Sequence, residues 1–170
     1  MRIVNASVVL AVSFLSGCVT TAPRYSAEPY VPPVERQTGE VTFWADHFRN
    51  REDFSIGLVD QSTCASFREV GQLHGNPSSQ EKQSFRAALP AQEPLLMRVY
   101  VSSSSGFVTK TCAKVYELTL KAGVSYDVEV LSWKDKEALF GEFTCELRIA
   151  ETSALDARIS PPETSNSCGK

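Results

Sequence analysis

From about residue 40 the chain alternates apolar and polar positions in short stretches. Val41, Phe43 and Ala45 share one parity, as do Phe54, Ile56 and Leu58, then Phe85, Ala87 and Leu89. Leu95, Met97, Val99 and Val101 form the next run. Tyr116, Leu118 and Leu120 lead into a Lys121-Ala122-Gly123 turn, and Val124, Tyr126, Val128 and Val130 return. A last run sets Phe143, Cys145, Leu147 and Ile149 on one face and Glu142, Thr144, Glu146 and Arg148 on the other. A period of two sends successive side chains to opposite faces of a strand, so each run reads as a half-buried strand with one wet face. Seven or eight such strands separated by turns predict an all-β fold, an antiparallel, immunoglobulin-like β-sandwich over residues 40–150. The stretch from Gln80 to Leu89 also admits a short helix, although its parity favours a strand. No internal repeat of fixed period is present.

The flanks follow other rules. Residues 19–39 contain Pro23, Pro29, Pro32 and Pro33 without apolar periodicity. A Pro-rich stretch stays extended at about 3.1 Å per residue, so this one reads as a solvated tether with a reach on the order of 65 Å. Tyr25 and Tyr30 are its candidate docking residues. Residues 151–170 are polar and read as a tail.

The N-terminus has the plan of an export signal. Met1-Arg2 is followed by a mostly apolar run over residues 3–15. That run is short for a membrane span, which needs about 20 apolar residues, and it fits the core of a signal peptide. It ends in Leu15-Ser16-Gly17-Cys18, which resembles the lipobox of bacterial lipoproteins. The resemblance implies cleavage before Cys18, so that residues 1–17 are a signal peptide. It further implies diacylglycerol on the Cys18 thiol and acylation of the new amine. Residues 18–39 then become a lipidated tether. Val19 stands where an Asp tends to retain such proteins at the inner membrane, so the resemblance places the domain at the outer membrane, facing the periplasm.

Cysteine usage agrees with export. With Cys18 assigned to lipid, Cys64, Cys112, Cys145 and Cys168 remain, an even number that allows three disulfide connectivities. Cys112 shares a parity with Tyr116 and Leu118, and Cys145 shares one with Phe143 and Leu147. Both point inward from late strands, which pairs Cys112 with Cys145. Cys64–Cys168 follows by elimination and would staple the tail. No Cys-x-x-Cys occurs and neither histidine is spaced to join a cysteine at a metal, so no metal site or cofactor is expected.

The charge balance narrows the partner. The chain carries 17 Lys and Arg against 20 Asp and Glu, a net charge of −3, which argues against nucleic acid. Two histidines, His47 and His74, are the side chains suited to proton transfer at neutral pH. Glu52-Asp53 and Glu93 supply carboxylates, and the spacings Ser79 to Lys82 and Ser167 to Lys170 match Ser-x-x-Lys. The companion motifs are missing, since Lys110-Thr111 is followed by Cys112 rather than Gly. The run Ser102 to Gly106 reads as a flexible loop. These residues form no recognisable catalytic set, so the expected protein is not an enzyme. Trp44, off the inward parity, His74 in an expected loop, and Trp133 at a strand end are the candidate binding residues.

Residues 116–130 (YELTLKAGVSYDVEV) resemble a hairpin of small envelope β-sandwich lipoproteins of undetermined function. Pro90-Ala91-Gln92-Glu93 is similar to their Pro-x-Gly-Glu turn, with Gln92 at the Gly position. The resemblance covers about 60 residues and implies the architecture only. The expected function is a lipid-anchored, non-enzymatic binding or scaffolding domain whose partners are the membrane, through Cys18, and an envelope protein. Two alternatives are an inhibitor or immunity protein against a periplasmic cell-wall hydrolase or toxin, and a weak peptidoglycan-acting enzyme using His47 or His74. An inhibitor would use a protruding loop, and residues 71–81 and 102–110 are the candidates.

Overall fold

The computed structural model of the chain describes residues 28–164, apart from 33, 35, 47, 49, 61–66, 79–80, 106–107 and 135–142. The described residues form nine strands: β1 (Glu28–Pro29), β2 (Thr38–Ala45), β3 (Arg51–Val59), β4 (Phe67–Gly75), β5 (Gln83–Pro90), β6 (Pro94–Ser105), β7 (Val108–Thr119), β8 (Ser125–Lys134) and β9 (Phe143–Glu151). They make a five-stranded sheet, β1-β4-β3-β6-β7, and a four-stranded sheet, β5-β2-β8-β9. The two pack face to face as the expected β-sandwich. Both sheets are mixed rather than purely antiparallel, because β1 runs parallel to β4 and β2 parallel to β8. Alternation reports which face a side chain takes and is silent on strand direction, so the sequence pattern could not separate the two cases.

The inward parities are the ones read from sequence. Phe43, Ile56, Leu89, Met97, Val99, Val101, Val128 and Leu147 are fully buried between the sheets, joined by Val41, Phe54, Leu118, Leu120 and Val130. Each side chain of this size contributes about 1.5–3 kcal/mol when taken out of water. Gln83–Pro90 is strand β5, and its Phe85 ring stacks on Phe43 with centroids 5.0 Å apart.

Strand β4 was not visible in the pattern, and its inward face shows why. Leu73 is its one fully buried apolar side chain, and the neighbouring inward positions are Gly71 and Gly75. Rings from elsewhere fill the space those glycines leave. A methyl group on Gly71 would lie 2.5 Å from the Phe85 ring, and one on Gly75 would lie 1.9 Å from the Phe48 ring. The core beneath β4 is thus built from borrowed aromatics, and the strand's own sequence reads as polar. A register shift at Ile56/Gly57 in the partner strand β3 breaks the parity further.

Two seams close the sandwich. At one, β4 lies against β5 through the contact of Gly71 with Phe85. At the other, β7 of the first sheet meets β9 of the second, and Cys112 is disulfide-bonded to Cys145 with a Cα–Cα distance of 5.9 Å. The sequence-derived pairing of these two cysteines is therefore the one found, and it joins the sheets covalently. Tyr116 of β7, buried at the same seam, shares a hydrogen bond with the backbone of Leu147 in β9. Desolvation there outweighs that bond and pushes its phenol up to about 12.

The expected tail continues the seam. After β9 the chain makes a 3₁₀ turn, Leu155–Ala157, and then runs along the open edges of both sheets. Ile159 exchanges backbone bonds with Ile149 of β9 at 2.9 and 3.0 Å. Glu117 donates to the Pro162 carbonyl at 3.2 Å, and Thr164 donates to Val115 of β7 at 2.9 Å. An edge strand otherwise presents unpaired backbone groups to other chains. Residues 158–164 act as a strap over both edges.

The segment expected to be a solvated tether is docked in its second half. Glu28 and Pro29 pair with Arg68 and Glu69 of β4, and the Tyr30 amide donates to the Glu69 carbonyl at 2.8 Å. Tyr30 packs against the core, and Arg36 pairs with Glu93 at 2.7 Å.

The turns at this end match the motifs in the sequence. Gly123 has φ +70°, a conformation glycine adopts without a Cβ clash. Gln92, standing where the resembling turn has Gly, adopts φ 66° and donates its amide to Leu120 at 2.8 Å. A left-handed conformation costs an L-residue about 1–2 kcal/mol, of which glycine's extra unfolded-state entropy returns part. Gln92→Gly is therefore expected to stabilise the domain by about 0.5–1 kcal/mol, read from the denaturant midpoint at unchanged slope. Opening the Cys112–Cys145 bridge should act in the other direction. Its loop spans a sequence separation of 33. On the chain-entropy model that is worth about 3–4 kcal/mol. Unfolding of the Cys112→Ala/Cys145→Ala protein measures the loss.

Candidate functional site

Strand directions give the sandwich two unlike ends. At one, the docked tether, the 91–93 turn and the 120–124 turn meet, tied by Ala91 to Gln37 and by Gly123 to Thr38 through backbone bonds of 2.9 and 3.1 Å. At the other, the hairpin end, lie the ends of β2, β4, β6 and β8 and the beginnings of β7 and β9. The residues chosen from sequence as binding candidates all fall toward this hairpin end. Trp44 stands one residue before the end of β2, His74 one before the end of β4, and Trp133 one before the end of β8.

The floor of this end is a buried carboxylate. Glu52 lies on the inward parity of Phe54, Ile56 and Leu58, is 6% exposed, and reaches both sheets. It accepts hydrogen bonds from Ser132 of β8 at 2.7 Å and from Ser103 of β6 at 3.4 Å. Asn50 in turn donates to Ser103 at 3.2 Å. A buried carboxylate is tolerated when its oxygens are satisfied. Glu52 thus makes a polar crossbar between the two sheets near the ends of β6 and β8. The signal for it was present in the alternation, since extending the parity of β3 by one step places Glu52 inside.

The three candidates differ in what they leave free. His74 sits in strand β4 rather than in a loop, and opposite it in register is Asp53. Its Nδ1 lies 2.8 Å from Asp53 Oδ1, with both side chains largely exposed. This pairing holds the ring against Asp53. Trp133 is 39% exposed and Val108, at the start of β7, is 53% exposed, so both present apolar surface at this end.

Trp44 is different: it lies on the outer face, as its parity requires, yet it is only 5% exposed. Its indole N–H donates to Asp127 Oδ1 at 2.7 Å. Lys82 Nζ stands 3.6 Å from the ring centroid, and the Arg158 guanidinium lies 5.0 Å from it. Arg158 also donates to Asp127 at 2.9 Å and approaches Glu129 at 3.7 Å. The ring that sequence offered for stacking on a partner is already covered by two cations of its own chain. Arg158 and the acids Asp127 and Glu129 pin the beginning of the strap to the four-stranded sheet.

The strap has a second pin two residues further on. Ser160 donates to Glu146, which also receives two bonds of 3.2 Å from Arg148. Partial burial opposes ionisation of Glu146, but the Arg148 and Ser160 hydrogen bonds and the nearby cations prevail and hold its carboxyl below the ordinary range. A depressed carboxylate contributes stability above its unfolded value and loses it as pH falls through the folded one. The strap is thus weakened in acid.

Two expected loops are strands. Residues 71–75 belong to β4, and residues 102–105 and 108–110 belong to the paired β6 and β7. The serine run that read as flexible continues the alternation, with Ser103 inward and each serine in register with β7. Cys18, His47, Cys64, Ser79 and Cys168, and the spacing Ser167 to Lys170, lie outside the described residues. Among the described residues, no group of three or more His, Cys, Asp or Glu is placed to hold a metal ion, and no helix is long and apolar enough to cross a membrane. No protein-family model matches the chain, and no curated protein matches it.

The Trp44 network makes a direct prediction. Arg158→Ala removes charge-assisted bonds from a partly exposed site, so a loss of about 1–2 kcal/mol is expected. In a Trp133→Phe background, Trp44 emission should shift to longer wavelength as the strap lifts. An unshifted spectrum would show that the strap is held elsewhere.

Proposed function

We propose that this chain is a lipid-anchored protein of the bacterial envelope whose β-sandwich binds or scaffolds another envelope component without catalysing a reaction. The observation that carries the reading is the Cys112–Cys145 bridge between the two sheets, because such a bond persists in an oxidising compartment such as the periplasm. It agrees with the lipobox Leu15-Ser16-Gly17-Cys18. Two or more acyl chains on Cys18 would hold the protein stably at a membrane, and Val19 favours the outer one.

Binding is favoured over catalysis by how the polar groups are used. Glu52 is a crossbar, Asp127, Glu129 and Glu146 hold the strap, and Asp53 orients His74. The hairpin end, with His74, Trp133 and Val108 presented from both sheets, is the surface left for a partner.

Growth with a labelled fatty acid tests the anchor. The native chain should take up label and fractionate with membranes. Cys18→Ala should be unlabelled and released in soluble form, and continued membrane attachment of that variant would refute the anchor.

A further inference from the structure

We infer that the described residues among 28–38, chiefly Glu28, Pro29, Tyr30, Arg36 and Gln37, form a clasp that sets both the height and the orientation of the sandwich above the membrane. This rests on the proposed lipid on Cys18, and it goes beyond that proposal by saying which end of the domain faces the bilayer.

The clasp is built from several separate contacts. Glu28 and Pro29 add a short parallel strand to β4, and the Tyr30 amide donates to Glu69 at 2.8 Å. The Tyr30 side chain packs against the core, and its hydroxyl is buried. Arg36 reaches Glu93 on the β5–β6 turn at 2.7 Å. The Gln37 carbonyl receives the Ala91 amide at 2.9 Å, after which the chain enters β2. The clasp thus holds the tether to both sheets: to β4 of one, and to the turn leading out of β5 of the other.

Reach follows from where the chain is first held. A fully extended chain covers at most about 3.3–3.6 Å per residue. The ten residues from Cys18 to Glu28 therefore allow at most about 35 Å, whereas a tether free as far as Thr38 would allow about 70 Å. Docking halves the distance the domain can stand from the lipid.

Orientation follows from the strand directions. The clasp enters at the end where β4 begins and where the 91–93 and 120–124 turns lie. β7 runs the length of the sandwich, from Val108 at the hairpin end to Thr119 at the tether end. At about 3.4 Å per residue its twelve residues span about 35–40 Å. With a leash no longer than the body it holds, the tether end is kept toward the bilayer. The exposed Val31, Val34 and Leu155 belong to that end, and the exposed Val108 and Trp133 are presented away from it. A partner that uses the hairpin end is then met from the side opposite the membrane.

Energy transfer to the membrane tests this on the full-length lipidated chain in phospholipid vesicles carrying an acceptor on their headgroups. A genetically encoded fluorescent residue replaces Leu155 in one protein and Val108 in another. Transfer from position 155 should exceed that from 108, on the order of twofold or more for a separation of about 35 Å. Tyr30→Ala/Arg36→Ala should lower transfer from 155 and narrow the gap. Equal transfer from the two positions, or a release variant indistinguishable from the native chain, would overturn the clasp. Absence of transfer from either position would refute the lipid anchor alone. The clasp itself is then decided on the Cys18→Ala protein by hydrogen exchange. The Tyr30 amide should exchange at least about tenfold more slowly than in a Cys18→Ala/Arg36→Ala protein, and an unprotected Tyr30 amide would overturn it.

Discussion

Everything in this sandwich depends on how its two sheets are joined at the seam between β7 and β9. A face-to-face pair of sheets buries apolar side chains in the middle, but at its sides it leaves backbone groups unpaired and lets water approach the core. Here Cys112 and Cys145 close one side covalently. Tyr116, four residues after Cys112 along the same strand, is buried and bonds to the backbone of Leu147. The strap then supplies hydrogen bonds to both edges, to Ile149 on one sheet and to Val115 and Glu117 on the other. The opposite seam has no such bridge among the described residues, and there the sheets are brought together by Phe85 filling the space above Gly71. One side is stapled and the other is packed.

The strap explains why the solvent face of the four-stranded sheet is so rich in paired charges. A strap with few apolar residues gains little by burial, and its exposed Ile159 shows that it does not rely on it. It is held instead by the Arg158 guanidinium, shared between Asp127, Glu129 and the Trp44 ring, and by the bond from Ser160 to Glu146. Isolated surface ion pairs contribute little. This group has more weight because Asp127 and Glu129 are largely shielded and Trp44 is covered. The outer face thus performs a structural task that hydrophobic patterning cannot reveal.

Legibility in the sequence divides along the same line. Wherever a strand supplies its own core side chains, as with Met97, Val99 and Val101 or Val128 and Val130, parity located it correctly. Parity also paired Cys112 with Cys145, because both residues share the inward face of their strands. β4 escaped because its inward positions include glycines whose space is filled by Phe48 and Phe85. Its register against β3 also shifts at Gly57. The role of Trp44 escaped for another reason. Its partners Asp127 and Arg158 lie 83 and 31 residues away from it and from each other, respectively, in contacts that only the folded topology creates. Glu52 could have been found, since it extends the parity of Phe54 and Ile56 by one step. A charged residue on a core parity is a sign of a buried polar contact between layers.

That crossbar bears on how the domain presents a surface. The ends of β2, β4, β6 and β8 converge at the hairpin end. Glu52 draws together β3, β6 and β8 beneath them through Ser103 and Ser132, in a shielded place where a hydrogen bond to a carboxylate is worth more than in water. The disulfide ties β7 to β9 along the same half of the body, since Cys145 lies opposite Ser132 in register. Covalent and polar ties are therefore concentrated under the end that carries His74, Trp133 and Val108. The tether end is held by turns, by β1 on β4 with Tyr30 against the core, and by surface ion pairs such as Arg36–Glu93 and Lys121–Glu151. Apolar residues of similar volume would close this end at no desolvation cost, so Glu52 trades apolar burial for a polar tie between the sheets. Through Ser103 and Ser132 that tie holds β6 and β8 against β3 across the core, at the end where His74 and Trp133 stand on different sheets.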